Sequence, residues 1–369
     1  MENKPTNFAT NFCYSLIFFF NILPFIVPVP ISFQLFFNSI ACIYLGSQRG
    51  IIILQKMDKE EKDKMEKMST KDAYMFPVYG SGVLFGLYVV YKFFDKNLLN
   101  TILSIHFTFF GFLSLIQLIC YHLEKFFPEW QKVTIFKKKF EIKIPLYQKT
   151  VDITISKSEV IAAALSVIPT VAYFATKHWL LNNLFGVAFS ICGIESLVLP
   201  NFQVGFILLW GLFFYDIFWV YGTDVMLTVA KSVDAPIKLI FPINLQAETP
   251  SFSMLGLGDI VIPGVFIALC LKYDVDKALL NLTKQGIKEL NLDNVKTPYF
   301  ISCLIGYAAG IIMTFNAMII FNHPQPALLF LVPCCTLGVI IRAVMDKGVK
   351  DLFNYDEEKI RLELEAKKE

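Results

Sequence analysis

Met254-Leu255-Gly256-Leu257-Gly258-Asp259-Ile260-Val261-Ile262-Pro263 places a carboxylate near the start of a long apolar run. Upstream, Phe213-Phe214-Tyr215-Asp216-Ile217-Phe218 buries a second one in another apolar run. A charged side chain in hydrocarbon costs about 3 kcal/mol even on the mild insertion scales. Two of them in neighbouring apolar segments therefore mark a site. Three uses fit: the pair cuts a substrate, carries a proton or cation, or holds helices together.

The composition around this pair is that of a membrane protein. Of 369 residues, 55% are hydrophobic and only 17% charged, with a mean hydropathy of +0.56. Apolar runs of about 20 residues recur, the length a helix needs to cross a bilayer. The net charge of +2 carries no nucleic-acid signal, because the basic residues are confined to loops. Of the eight cysteines, Cys192, Cys270, Cys303, Cys334 and Cys335 lie inside apolar runs. That placement reads as small apolar fillers, not a disulfide framework.

The expected fold class is an all-α polytopic membrane protein of about nine transmembrane helices. Residues 12–23 are apolar but are followed by Pro24, Pro28 and Pro30. They read as a signal-like segment, a separate span or part of a broken first span. The first true span is placed within about residues 28–47. Further spans are expected at about 75–94, 98–121, 159–176, 180–199, 202–222, 254–271, 298–321 and 326–345. This divides the chain into an N-terminal segment, 1–27, and six spans over 28–222, with charged loops at 47–73 and 122–157. A lumenal loop, 223–253, three spans over 254–345 and a charged tail, 346–369, complete it. Alternation in Phe140-Glu141-Ile142-Lys143-Ile144 predicts a short strand outside the membrane. No internal repeat of the kind common in transporters is evident.

Loop charge tests the count. The loops after spans one, three, five and seven, together with the tail, hold 27 of the 33 lysines and arginines. The opposite side holds the other six, Lys4, Lys92, Lys96, Lys177, Lys231 and Lys238. By the positive-inside bias, the tail is expected in the cytosol and the N-terminus in the lumen. Span six then runs toward the lumen and span seven returns. Asp216 lies about six residues before one end and Asp259 about five residues after the next, depths of roughly 9 and 8 Å at the helical rise. The two carboxylates fall at similar depth on antiparallel neighbours.

Two carboxylates held a few ångströms apart share a proton, so the pair offers one base and one acid. The base can deprotonate a water that attacks a carbonyl while the acid protonates the carbonyl oxygen. Gly256 and Gly258 would let a substrate backbone approach Asp259, or let the helix begin irregularly. A peptide bond inside a membrane helix must be unwound before it is cut, and its freed backbone groups need partners. An exposed strand edge near these glycines would supply them. Helix–helix packing through small residues explains the glycines equally well. Pro326-Ala327-Leu328 opens span nine at the same depth, with Pro at a helix start, where it is routine.

Tyr215-Asp216, Gly256-Leu257-Gly258-Asp259 and Gln325-Pro326-Ala327-Leu328, in that order on successive spans, resemble the presenilin-type (GxGD) intramembrane aspartyl proteases, signal peptide peptidase branch. Ser69-Thr70-Lys71-Asp72-Ala73, Asn182-Asn183-Leu184-Phe185-Gly186 and Ala235-Pro236-Ile237-Lys238 also match that family, and the resemblance covers about residues 69–350. It implies an aspartic-type intramembrane endopeptidase that cleaves signal peptides and other type II-oriented helices in the endoplasmic reticulum membrane. It implies Asp216 and Asp259 as the catalytic pair, with Tyr215, Gly256, Leu257, Gly258, Pro326, Ala327 and Leu328 as its support. No metal and no cofactor are implied. The partners are transmembrane-helix substrates and the lipid bilayer, without nucleic acid; a homo-oligomer stays open. Lys367-Lys368-Glu369 resembles a dilysine retrieval signal set one residue off.

Other residues carry less. Glu195 reads as a structural pairing before a catalytic one. The four histidines lack the His-Glu-x-x-His spacing of a zinc protease, and no glycine-flanked serine marks a serine protease. Asn281-Leu282-Thr283 is a glycosylation sequon that would face the cytosol unmodified. The rival functions are a proton- or cation-conducting channel or transporter and a non-proteolytic binder of transmembrane helices.

Overall fold

The computed structural model describes residues 7–57, 62, 65, 67–144, 147–243, 251–284, 295–321 and 325–366. It is a bundle of long helices: α1 (Asn7–Ile22), α2 (Ile31–Lys56), α3 (Thr70–Phe93), α4 (Lys96–Phe126), α6 (Lys157–Thr176), α7 (Trp179–Ser196), α8 (Phe202–Tyr221), α10 (Gly258–Lys284), α11 (Pro298–Phe321) and α12 (Leu328–Met345). Short helices α5 (Pro128–Lys132), α9 (Val225–Ser232), α13 (Val349–Asn354) and α14 (Glu357–Ala366) fill the connections and the tail. The retrieval-like Lys367-Lys368-Glu369 and most of the charged run 58–64 lie outside the described residues.

Helix starts follow local chemistry. Ser69 with Asp72 and Ser156 with Glu159 form capping boxes at α3 and α6, satisfying backbone donors that the first turn leaves open. Asp95, His178 and Asn201 cap α4, α7 and α8. The alternating stretch is a strand, β1 (Thr134–Ile144), paired antiparallel with β2 (Tyr147–Ser156). A second hairpin, β3 (Lys238–Pro242) with β4 (Phe252–Gly256), sits at the opposite end of the bundle.

Eight segments among the described residues are long and apolar enough to cross a membrane. Seven coincide with expected spans; the eighth, Phe8–Phe25, is the proline-flanked N-terminal stretch, which forms a helix of its own. The remaining two expected spans are α7 and α10. They are long helices at the expected places but carry the bundle's polar groups: Asn182, Asn183 and Glu195 on α7, and Asp259, Lys272, Asp274 and Asp276 on α10. Span seven needs a boundary correction. Residues 252–256 are strand, the helix begins at Gly258, and it runs on to Lys284 through the stretch expected as a loop. The sequon Asn281-Leu282-Thr283 is thus helical.

The bundle has an apolar core and also presents large apolar side chains outward. Ile168, Ile319 and Ile320 are each more than 70% exposed, while Asn38, Ser39, Arg49 and Ser190 are buried. Lipid accepts the former, and the bundle satisfies the latter. Tight helix contact uses small residues. A Cβ on Gly338 of α12 would lie 2.6 Å from the Ser302 carbonyl of α11, and one on Gly306 would strike the Cys334 carbonyl. All eight cysteines are free, six of them buried, as apolar filling requires.

Candidate active site

Asp216 lies on α8, five residues before its end at Tyr221, and is 5% exposed. Its Oδ2 accepts a hydrogen bond from the Leu328 N–H at 3.0 Å. Leu328 is the first residue of α12, preceded by Pro326 and Ala327, whose carbonyls accept from Leu329, Phe330 and Leu331. Pro326 removes one N–H from a helix end that has donors to spare. The exposed amide that remains is aimed at a carboxylate, and the N-terminal end of the helix dipole faces the same way.

Asp259 occupies the first turn of α10 and is half-buried. The helix that bears it packs against α8, which bears Asp216, and α8 also packs against α12. Tyr307 of α11 donates its hydroxyl to the Asp259 backbone carbonyl at 3.3 Å, fixing that turn. The matching depths arise differently from the sequence expectation. Asp216 is about 8 Å inside α8 at the helical rise, and α10 does not begin until Gly258. The β3–β4 hairpin carries the backbone inward to that level. Irregular backbone at such depth is tolerated only when protein covers it, and Leu239, Phe241 and Leu255 are buried here.

The glycines divide by role. A Cβ on Gly256 would lie 3.3 Å from Asp259 Oδ2, so a side chain there would press on the carboxylate. One on Gly258 meets nothing within 4 Å. At neither position would a Cβ meet a helix other than α10. Leu257 between them does pack: its N–H donates to the Ile237 carbonyl at 3.0 Å, and its side chain lies against Gly186 of α7.

Among the described residues, the sheet has one edge whose outward backbone groups are bonded and one edge left open. β4 pairs with β3 in the register Lys238↔Gly256, Leu239↔Leu255, Ile240↔Met254. The flanking bonds, Leu257 N–H to Ile237 and Ile243 N–H to Ser251, set the phase of the ladder. In that phase the backbone groups of Leu239 and Leu255 face each other, and those of Ile240 and Met254 face away. On β3 the outward groups are taken: Asn183 bonds both the N–H and the carbonyl of Ile240, at 2.8 and 2.9 Å, and Asn182 bonds the Lys238 carbonyl at 2.8 Å. On β4 the outward groups of Met254 and Gly256 have no backbone partner among the described residues.

Tyr215 points to another neighbour. Its ring lies against Gly80 of α3, and its centroid is 6.4 Å from that of Trp219. Trp219 Nε1 donates to Ser81 Oγ at 3.0 Å. Among the described residues the Tyr215 hydroxyl bonds neither carboxylate. Glu195 is elsewhere, paired with Arg49 Nε at 2.7 Å and bonded by Gln117 at 2.5 Å. It is a structural pair, as expected. Sequence reasoning missed Tyr307 and the separate role of Asn183. The first has no signal in Gly306-Tyr307-Ala308. The second has one, since two adjacent amides in an apolar run need partners.

A family profile described as signal peptide peptidase (Peptidase_A22B) matches residues 60–359. The chain is 40% identical to the signal peptide peptidase of Mus musculus over 324 residues, covering 85% of this chain and 80% of the mouse protein. Identity to the Homo sapiens signal peptide peptidase is 39% over the same length. A probable intramembrane protease of Schizosaccharomyces pombe is 31% identical over 322 residues, covering 87% of this chain and 92% of the yeast protein. The matched span contains both carboxylates, the hairpin and the Pro326-Ala327-Leu328 turn, and on this evidence the chain belongs to the signal peptide peptidase family and is an intramembrane aspartic-type endopeptidase.

Proposed function

We propose that Asp216 and Asp259 are the catalytic dyad and that the open edge of β4 receives the unwound substrate. The observation that supports this reading is the packing of α8 against α10, the helices that bear the two carboxylates, beside a strand edge whose outward backbone groups have no backbone partner among the described residues. One carboxylate takes a proton from water as the water oxygen bonds to the scissile carbonyl carbon. The protonated partner gives its proton to the carbonyl oxygen. Collapse of the resulting gem-diol breaks the C–N bond and returns the proton to the departing amine. The proton belongs to the pair, not to one residue. The Leu328 amide, set by Pro326 and Ala327, orients Asp216; Gly256 and Gly258 leave room for the substrate backbone; Leu257 anchors the strand on α7. Tyr215 supports the site through packing on α3.

Substrates are helices whose peptide bonds can be freed for pairing with Met254 and Gly256. The loop-charge bias supports a cytosolic tail and therefore type II-oriented substrates, such as remnant signal peptides, in the endoplasmic reticulum membrane. On this reading α2 enters from the lumenal side. Because α1 packs antiparallel on α2, with Asn11 beside Lys125 and Phe25 against Trp179, a membrane-crossing α1 puts residue 7 on the cytosolic side. The lumenal terminus expected from nine spans then applies to the start of α2. No observation favours a channel or a non-proteolytic binder.

The test is cleavage of a membrane-spanning signal-peptide substrate by purified protein in detergent. Asp216→Ala and Asp259→Ala should each lose at least about 100-fold in rate, the low end for removing a general acid or base, while still binding substrate. Cleavage that survives in either variant would sink the assignment.

A further inference from the structure

α1 lies outside the residues that match the family, yet it is bonded into the framework of the site. Asn21, in its last turn, is 7% exposed. Its Nδ2 donates to Asn38 Oδ1 and to the Ile17 carbonyl, each at 2.8 Å. Its Oδ1 accepts from Asn183 Nδ2 at 3.2 Å. Asn183, 1% exposed, uses its other Nδ2 hydrogen on the Ile240 carbonyl and its Oδ1 on the Ile240 N–H. Every donor of the Asn183 amide is thereby used, one of them on α1. Ile240 stands opposite Met254 in the sheet.

An amide with both hydrogens and its oxygen engaged cannot rotate without leaving a buried group unpaired. If Asn21 is lost, one Asn183 hydrogen has no acceptor. The amide can then turn away from Ile240, and β3 loses the clamp that closes its outer edge. A two-stranded hairpin is marginal by itself and depends on such outside restraints.

We propose that Asn21 is a positioning residue of the endopeptidase: through Asn183 it holds β3, and through β3 it sets the edge of β4 relative to Asp259. On this account α1 is a working part of the folded enzyme. The inference rests on the reading of β4 as the substrate-pairing strand.

The test uses the purified full chain and compares Asn21→Leu, Asn38→Leu and Asn21→Gln. For each, kcat, KM, cleavage positions by mass spectrometry and thermal midpoint are measured. Asn21→Leu should lower kcat roughly three- to tenfold, the rate equivalent of one hydrogen bond. KM should change little, and the cleavage positions should spread. Asn38→Leu removes a different partner of Asn21, whose Nδ2 keeps its bond to Ile17. It should lower the midpoint but leave kcat and cleavage positions intact. Asn21→Gln keeps the amide and should recover most of the rate. If Asn21→Leu does not fold, Asn21→Ser carries the same comparison. Unchanged kcat and cleavage positions in Asn21→Leu, or equal losses in Asn38→Leu, would overturn the proposal. An inactive wild type would instead sink the protease reading beneath it.

Discussion

Arg49 and Glu195 separate the two uses of a buried charge. Both side chains are 1% exposed, on α2 and α7, and Arg49 also lies over the Tyr121 ring at 4.4 Å. A paired, hydrogen-bonded ion is tolerated; a lone one is not. Arg49→Leu alone should destabilise by about 3–5 kcal/mol, and Glu195→Leu added to it should recover most of that loss. Unfolding in detergent, followed by denaturant titration, checks both. Proteolysis per folded molecule should stay near wild type in the double variant, because neither residue reaches the dyad. A double variant as unstable as the single one would mean that Gln117 and Tyr121, not the ion pair, dominate. Asp216 differs in kind: its Oδ2 is held by a backbone amide, with no ion pair among the described residues. The sequence marked Glu195, Asp216 and Asp259 alike as carboxylates in apolar runs. That Glu195 is paired with a cation depended on Arg49 of α2, 146 residues away.

At the scale of elements, the β3–β4 hairpin was the least legible. The β1 strand was visible as the alternation of apolar and charged residues in Phe140-Glu141-Ile142-Lys143-Ile144. β4 was not, since Met254-Leu255-Gly256-Leu257 has no polar phase and runs directly into α10. A short apolar strand and the first turn of a buried helix look alike in sequence. What separates them is a partner, β3, found in a loop that reads as semi-polar. The hairpin makes a specific demand of Met254. Its N–H faces away from β3, so Met254→Pro removes a donor from the open edge without removing a ladder bond, a position where Pro is tolerated. Cleavage should fall about tenfold or more, the cost of one or two hydrogen bonds in the reacting complex, while the thermal midpoint stays within a few degrees. Retained cleavage would mean that substrate does not pair there.

For the whole molecule, the proposed orientation predicts a labelling pattern. In sealed microsomes, a membrane-impermeant maleimide should reach Lys138→Cys on β1 and Lys350→Cys in the tail, both exposed. It should reach Asp234→Cys, exposed beside β3, only after permeabilisation. The native thiols give little background because six of eight are buried. The reverse pattern would invert the membrane orientation and the substrate class with it.

The sequence by itself determined the membrane class, the alternation of spans and the two carboxylates. Each depends on local hydropathy or charge bias, which neighbouring residues set. Only the tertiary structure decided that α10 starts late, that α12 opens onto Asp216, and that Asn183 closes one sheet edge and leaves the other free. Those outcomes depend on where backbone donors and acceptors find partners. In a bundle set in hydrocarbon, such partners come from elements far apart in the chain.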